Sequence, residues 1–142
     1  MTTKLQKILN RPRWIRQDIK DLESELRAYR ETMILPGIGY DQERVQTSPK
    51  DRMPDYAARA EKLLSRIKDK ERDYLRAHGK VVRMTRKLDP IERSIIIQRY
   101  IEGRSYEAIA ESFPMSERQM FNYRRSAIEK LEKIAVNCSK DR

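Results

Sequence analysis

From Ile15 to Met33 the apolar residues Ile15, Ile19, Leu22, Leu26, Tyr29 and Met33 follow one another at steps of four and three. That spacing is the seam of an amphipathic helix, with polar and charged residues filling the positions between. Pro12 suits the first turn, where a missing N–H costs nothing, and Pro36-Gly37 ends the run. A helix is therefore predicted over about 12–35, with Leu5–Leu9 as a short helical piece ahead of it. A second seam runs Tyr56, Ala60, Leu63, Ile67, Tyr74, Ala77, Val81, Met84, Leu88, and Lys70 is the one charged residue in register. It predicts a helix over about 54–88, roughly 50 Å long at about 1.5 Å per residue. Residues 36–53 read as a connector. Two seamed helices with a joint between them give an antiparallel helical hairpin over 1–88, with Leu26 facing Leu63 and Leu22 facing Ile67.

The pattern changes after Leu88. Asp89, Pro90 and Glu92 have the spacing of a cap, a first-turn proline and a capping box, so a helix is predicted from 90 to about Ile101, stopped at Gly103. Ser105 caps a second helix, Tyr106 to about Ser112, which Phe113-Pro114 ends. Ser116 and Gln119 form another capping box, and a third helix follows to about Ile134. Two short helices, Ala110 where they cross, and a longer last helix are the layout of a helix-turn-helix over 89–136. Residues 137–142 are left as a tail. On the last helix Met120, Tyr123, Ala127, Leu131 and Ile134 form the expected inward stripe, and Met115 is expected to plug the core below Ile109 and Met120. The outward face shows Arg118, Gln119, Asn122, Arg125, Glu129 and Lys133, with Phe121 beside them. Arg and Lys donors suit guanine edges, Gln and Asn suit adenine, and Phe121 suits a thymine methyl group. Phosphates require only positive charge or N–H donors, which the helix starts at Ser105 and Ser116 supply.

Composition narrows the choice. Leu, Ile, Val and Phe make up 30 of the 142 residues, too few for a large α/β core, and four glycines argue against a strand-and-turn architecture. The fold class is therefore all-α. The net charge of +10 favours a polyanionic partner, nucleic acid before an anionic membrane. Charge is concentrated on the long second helix, since residues 57–88 carry 11 basic and 4 acidic groups, among them Arg59, Lys62, Arg66, Arg76, Lys80 and Arg83. No apolar run is long enough for a membrane span and no signal peptide is expected. One cysteine, Cys138, and one histidine, His78, give no zinc site, so neither metal nor cofactor is expected, and the compartment reads as cytoplasmic. Carboxylates interleaved with Lys and Arg read as salt-bridged surface, and the chain is not expected to be an enzyme.

The pieces Leu88-Asp89-Pro90-Ile91-Glu92-Arg93, Glu107-Ala108-Ile109-Ala110, Ser116 and Ala127-Ile128-Glu129-Lys130-Leu131 together resemble the fourth region of bacterial sigma factors. Pro114 stands where that pattern has a turn glycine, so the turn is expected to be built differently. A basic helical part followed by such a helix-turn-helix is similar to the phage and prophage late regulators of the ArpU type. The resemblance implies base-reading positions at Glu117, Arg118, Gln119, Phe121 and Asn122, and phosphate-facing positions at Arg124 and Arg125. It implies double-stranded DNA as a partner, RNA polymerase as a second one, and control of late or lytic genes in a bacterial host cell. The unpaired apolar surface of the seams leaves room for a homo-oligomer. Two rival readings use the same features: a phage terminase small subunit, and a helical adaptor for RNA polymerase.

Overall fold

A computed structural model describes residues 1–34 and 49–140 of the chain. Its described residues are helical nearly throughout: α1 (Thr3–Ile34), α2 (Pro49–Thr85), α3 (Pro90–Ile96) continued by a π-helical turn (Ile97–Ile101), α4 (Tyr106–Ser112) and α5 (Glu117–Lys140). The all-α expectation holds, and none of these helices is long and apolar enough to cross a membrane. The chain divides into two compact units, one made of Met1–Ile15 with Asp73–Arg142 and one of Arg16–Arg72.

In the first unit two hydrophobic clusters meet at α3. Leu5 and Leu9 of α1, Val81 and Met84 of α2, Leu88, Ile96, Tyr100, and Ala127, Ile128, Leu131 and Ala135 of α5 form the larger. Ile95, Ile109, Ala110 and Met120 form the smaller, with Ile91, Tyr106, Phe113 and Met115 packed against it. Ile95 and Ile96 are both fully buried yet feed different clusters. Neighbouring helix residues point about 100° apart, so two adjacent isoleucines make α3 a wedge between two cores.

In the second unit Leu26, Leu63 and Ile67 are buried together, flanked by Ile19, Leu22 and Ala60. Tyr29 stacks on Tyr56 with ring centroids 4.9 Å apart. Lys70, the charged residue in the apolar register, donates to Asp18 at 3.2 Å. Early residues of one helix thus meet late residues of the other, which is the antiparallel arrangement the seams predict.

Several boundaries differ from the sequence reading. α1 begins at Thr3, so Pro12 lies inside the helix, not in its first turn. An interior proline costs about 3 kcal/mol. Here Leu5, Leu9 and Pro12 are all fully buried, and burying two leucines returns roughly 3–6 kcal/mol. Among the described residues α2 runs from Pro49, so residues 49–53, expected in the connector, are helical. α5 continues past Ile134 to Lys140, through most of the expected tail. The side chain of Met33, connector residues 36–48 with the Pro36-Gly37 stop, and residues 141–142 lie outside the described residues.

Candidate nucleic-acid interface

The site is built from α3, α4 and α5, and its rigidity starts at α3. Asp89 makes no side-chain cap, so the expected Asp89–Glu92 capping box does not form. Glu92 is buried and turns instead to α5, where Ser126 Oγ donates to its Oε1 at 2.9 Å and Lys130 Nζ donates to both carboxylate oxygens at 3.1 Å. A carboxylate taken out of water needs such partners more than a helix start needs a second cap. The bond to Glu92 and attraction to Glu92 and Asp89 raise the Lys130 pKa above the ordinary lysine value, against a smaller opposing effect of desolvation. Arg93, the next residue, spans the junction with α2. It donates to the carbonyls of Thr85, Arg86 and Leu88, at the end of α2 and in the turn that follows it, where the Thr85 carbonyl also accepts from the Leu88 N–H at 3.0 Å.

The π-helical turn widens the end of α3 and presents Arg99. Gly103 has φ +71, a left-handed conformation that suits glycine, and the Arg104 N–H returns to the Gln98 carbonyl at 2.9 Å. Ser105 then caps α4, its hydroxyl accepting from the Ala108 N–H at 3.2 Å. The turn into α5 contains no positive φ, so Pro114 fits it without a left-handed residue. Ser116 Oγ accepts from the Gln119 N–H at 3.2 Å and the Gln119 side chain accepts from the Ser116 N–H at 3.4 Å. The predicted reciprocal capping box at the head of α5 is therefore present. Met115 packs against the Ile109–Met120 cluster, as expected.

These supports leave one outward surface on the first turns of α5. Glu117, Arg118, Gln119, Phe121, Asn122 and Arg125 are all exposed. Arg118, Phe121, Asn122 and Arg125 recur at steps of three, one and three, so they share one helix face. Phe121 remains 40% exposed although its ring leans on Tyr106, with centroids 5.0 Å apart. That contact brings the capped start of α4, with Ser105, beside the α5 face.

Arg124 sits differently from its neighbours. It is half-buried, donates to the Tyr100 hydroxyl at 3.2 Å, and lies 5.4 Å from the Tyr106 ring centroid. Burial works against its charge, but the bond to Tyr100 and attraction to Tyr100 and Tyr106 leave its pKa raised on balance. Its Nε is buried without a hydrogen-bond partner. Tyr123, by contrast, is 39% exposed, and the inward stripe of α5 passes through Met120, Ala127, Ile128, Leu131 and Ala135. Tyr123 was expected inside; Ala127 and Ile128, adjacent and both buried, rotate the stripe away from it.

Two residues escaped the sequence reading. Arg99 lies 4.1 Å from the Tyr106 ring centroid and donates to the Arg104 carbonyl at 3.1 Å. Arg104 is exposed beside Ser105 and donates to Gln98 Oε1 at 2.7 Å. Both cations therefore flank the capped start of α4. The signal was present as two arginines within the run Arg99-Tyr100-Ile101-Glu102-Gly103-Arg104-Ser105, but without the π-helical turn nothing aims Arg99 at Tyr106. On the other flank Glu107, Glu111 and Glu117 rim a shallow concavity with Pro114 and Gln119. The interface is thus polarised: cations at Arg99, Arg104, Arg118 and Arg125, carboxylates along the outer side of α4.

Among the described residues no cluster of His, Cys, Asp and Glu has the makings of a metal site. No curated protein and no solved structure matches the chain. A family model does match part of it, and that part begins inside α2 and takes in Arg93, the Glu92 clamp, both caps and the outward face of α5: residues 78–131 match sigma-70, region 4, so this segment is a sigma-region-four-like helix-turn-helix.

Proposed function

We propose that this chain is a sequence-specific DNA-binding regulator of transcription that acts together with RNA polymerase. The observation that carries the reading is the outward face of α5. Arg118, Gln119, Asn122 and Arg125 are exposed on a helix head locked by a reciprocal capping box, within a segment that matches sigma-70, region 4. In this reading α5 lies in the major groove of duplex DNA. Arg118 donates to guanine, Gln119 and Asn122 pair with adenine, Glu117 accepts from cytosine, and Phe121 packs on a thymine methyl group. Arg125, Arg99 and Arg104 hold phosphates, with the N–H groups at the heads of α4 and α5, capped by Ser105 and Ser116, beside them. Arg124 serves the interface from behind by fixing Tyr106, on which Phe121 rests. The carboxylates of α4 keep the phosphate backbone off that flank.

The finer role follows the same line. A basic helical part leading into a region-four-like segment supports a phage or prophage late regulator of the ArpU type, working in the cytoplasm of a bacterial host. The chain carries no catalytic step in this reading; its buried carboxylate, Glu92, is engaged by Ser126 and Lys130. Repeated selection from a random duplex pool with the full chain should return one recurring site. That site, placed upstream of a weak promoter, should raise transcript yield with purified polymerase. Recovery of no preferred sequence would contradict the DNA-reading role. A preferred site without activation at any spacing would leave a repressor.

A further inference from the structure

Within the first unit, away from α5, α1 and α2 enclose a concavity of about 460 Å³. Its apolar lining is Ile8, Ala77 and Trp14, of which Ala77 is buried and Ile8 partly so. Its rim is cationic: Lys7 and Arg11 on α1, Arg76 and Lys80 on α2, against a single carboxylate, Asp73. All four cations are exposed, and among the described residues none of them has an ion-pair partner. Trp14 is 56% exposed, the larger part of its indole open to solvent. The basic rim continues along α2, where Arg76, Lys80 and Arg83 recur at steps of four and three and are all exposed.

An exposed indole beside four cations places a flat π-face and positive charge within one concavity. The combination of a flat aromatic face, an apolar lining and a cationic rim has a specific complement. Unpaired nucleotides present a flat base that stacks on an aromatic ring and a phosphate that pairs with Lys or Arg. A duplex edge offers phosphates and sugars but hides its base faces, so it satisfies the rim and leaves the apolar lining uncovered. A concavity of this size matches one nucleotide with part of the next.

We propose that the Trp14 groove binds single-stranded DNA, with a base stacked on Trp14 and the flanking phosphates held by Lys7, Arg11, Arg76 and Lys80. The choice of DNA over RNA rests on the DNA-reading role of α5 in the same unit; the groove itself does not depend on that role. Regulated unwinding next to a bound site would supply such a strand.

Trp14 is the chain's only tryptophan, so its fluorescence reports on this groove alone. The full chain is titrated with the oligonucleotide dT12, with a random-sequence duplex of equal length, with rU12 and with polyglutamate. Stacking predicts saturable quenching by dT12, weakened by salt, with weaker quenching by the duplex, none by polyglutamate, and rU12 binding no tighter than dT12. By anisotropy of labelled dT12, Trp14→Leu should lower affinity about tenfold, as loss of one stacked base does. Lys7→Gln with Arg11→Gln should lower it by a similar factor and flatten the salt dependence. The double variant Arg118→Ala, Asn122→Ala should leave dT12 binding unchanged, so failure of the groove and failure of the α5 reading are distinguishable. Equal quenching by polyglutamate would assign the groove to an acidic protein partner. Stronger quenching by the duplex, tighter binding of rU12, or unchanged dT12 affinity in Trp14→Leu would each overturn the proposal.

Discussion

Between Arg16 and Arg72, α1 and α2 bury three apolar side chains, Leu26, Leu63 and Ile67, among the described residues. The unit made of Met1–Ile15 with Asp73–Arg142 buries two joined clusters, a clamped carboxylate and a capped helix head. The same two helices pass through both units, so helix propensity does not explain the difference. What differs is the number of elements that share the buried face. A two-helix seam has solvent on either side, whereas α3 is packed on both sides. The comparison also shows that the helix-turn-helix is not a contiguous C-terminal piece in its packing. Leu5 and Leu9 lie in one cluster with Ala127, Ile128, Leu131 and Ala135, so a fragment beginning near residue 84 exposes part of that core.

The largest effects should therefore come from the doubly packed unit. Leu131→Ala, or Leu9→Ala at the far end of the sequence, should cost about 3–5 kcal/mol in denaturant melts, the upper range for a fully buried leucine. Equal sensitivity at the two positions would show that the N-terminus belongs to the same cooperative core; a negligible effect of Leu9→Ala would break that claim. Leu63→Ala in the two-helix seam should cost nearer about 2 kcal/mol, because the seam can close over the gap. Hydrogen exchange sharpens the contrast, with amides of 55–70 exchanging well before those of 91–100 and 124–135. Uniform protection would contradict a thin second unit.

Smaller effects probe the clamps. Arg93→Ala removes a side-chain donor from the carbonyls of Thr85, Arg86 and Leu88, of which Thr85 keeps its bond from the Leu88 N–H, and should cost about 1 kcal/mol. Smallest is the pH response of Lys130, whose pKa Glu92 raises. Below the ordinary lysine value of about 10.4 both folded and unfolded chains hold the proton, and the contact contributes in full. Above it the unfolded chain loses its proton first, and the contribution fades as pH climbs through the raised value. The advantage of the native chain over Lys130→Met should accordingly shrink only in alkaline melts. A loss between pH 6 and 9 would assign it to another group.

Much of this architecture is legible from local chemistry. The seams, the Ser105 and Ser116 caps, the Met115 plug and the exposed Arg118–Asn122 face all depend on residues within one or two turns. What escaped depends on distant partners. Pro12 sits inside α1 because Leu5 and Leu9 are buried by residues more than 70 positions away. Glu92 abandons its cap for Ser126 and Lys130. Tyr123 turns outward because Ala127 and Ile128 share the core. The π-helical turn, which brings Arg99 to Tyr106, has no periodic signature in Ile97-Gln98-Arg99-Tyr100-Ile101. Arg104 is visible beside its cap, yet its place at the interface needs that turn.

The most direct test concerns the face of α5 as a reader of bases. With the site recovered by selection, affinity for that duplex and for a random duplex of equal length is measured at fixed salt. The native chain, Arg118→Ala with Asn122→Ala, and Arg125→Ala are compared. Base reading predicts that the double variant loses about 2–6 kcal/mol on the preferred site and little on the random one, so its preference collapses. Arg125→Ala should weaken both duplexes alike and reduce the salt dependence by about one phosphate contact. A double variant that binds its site as tightly and as selectively as the native chain would contradict the role of this face.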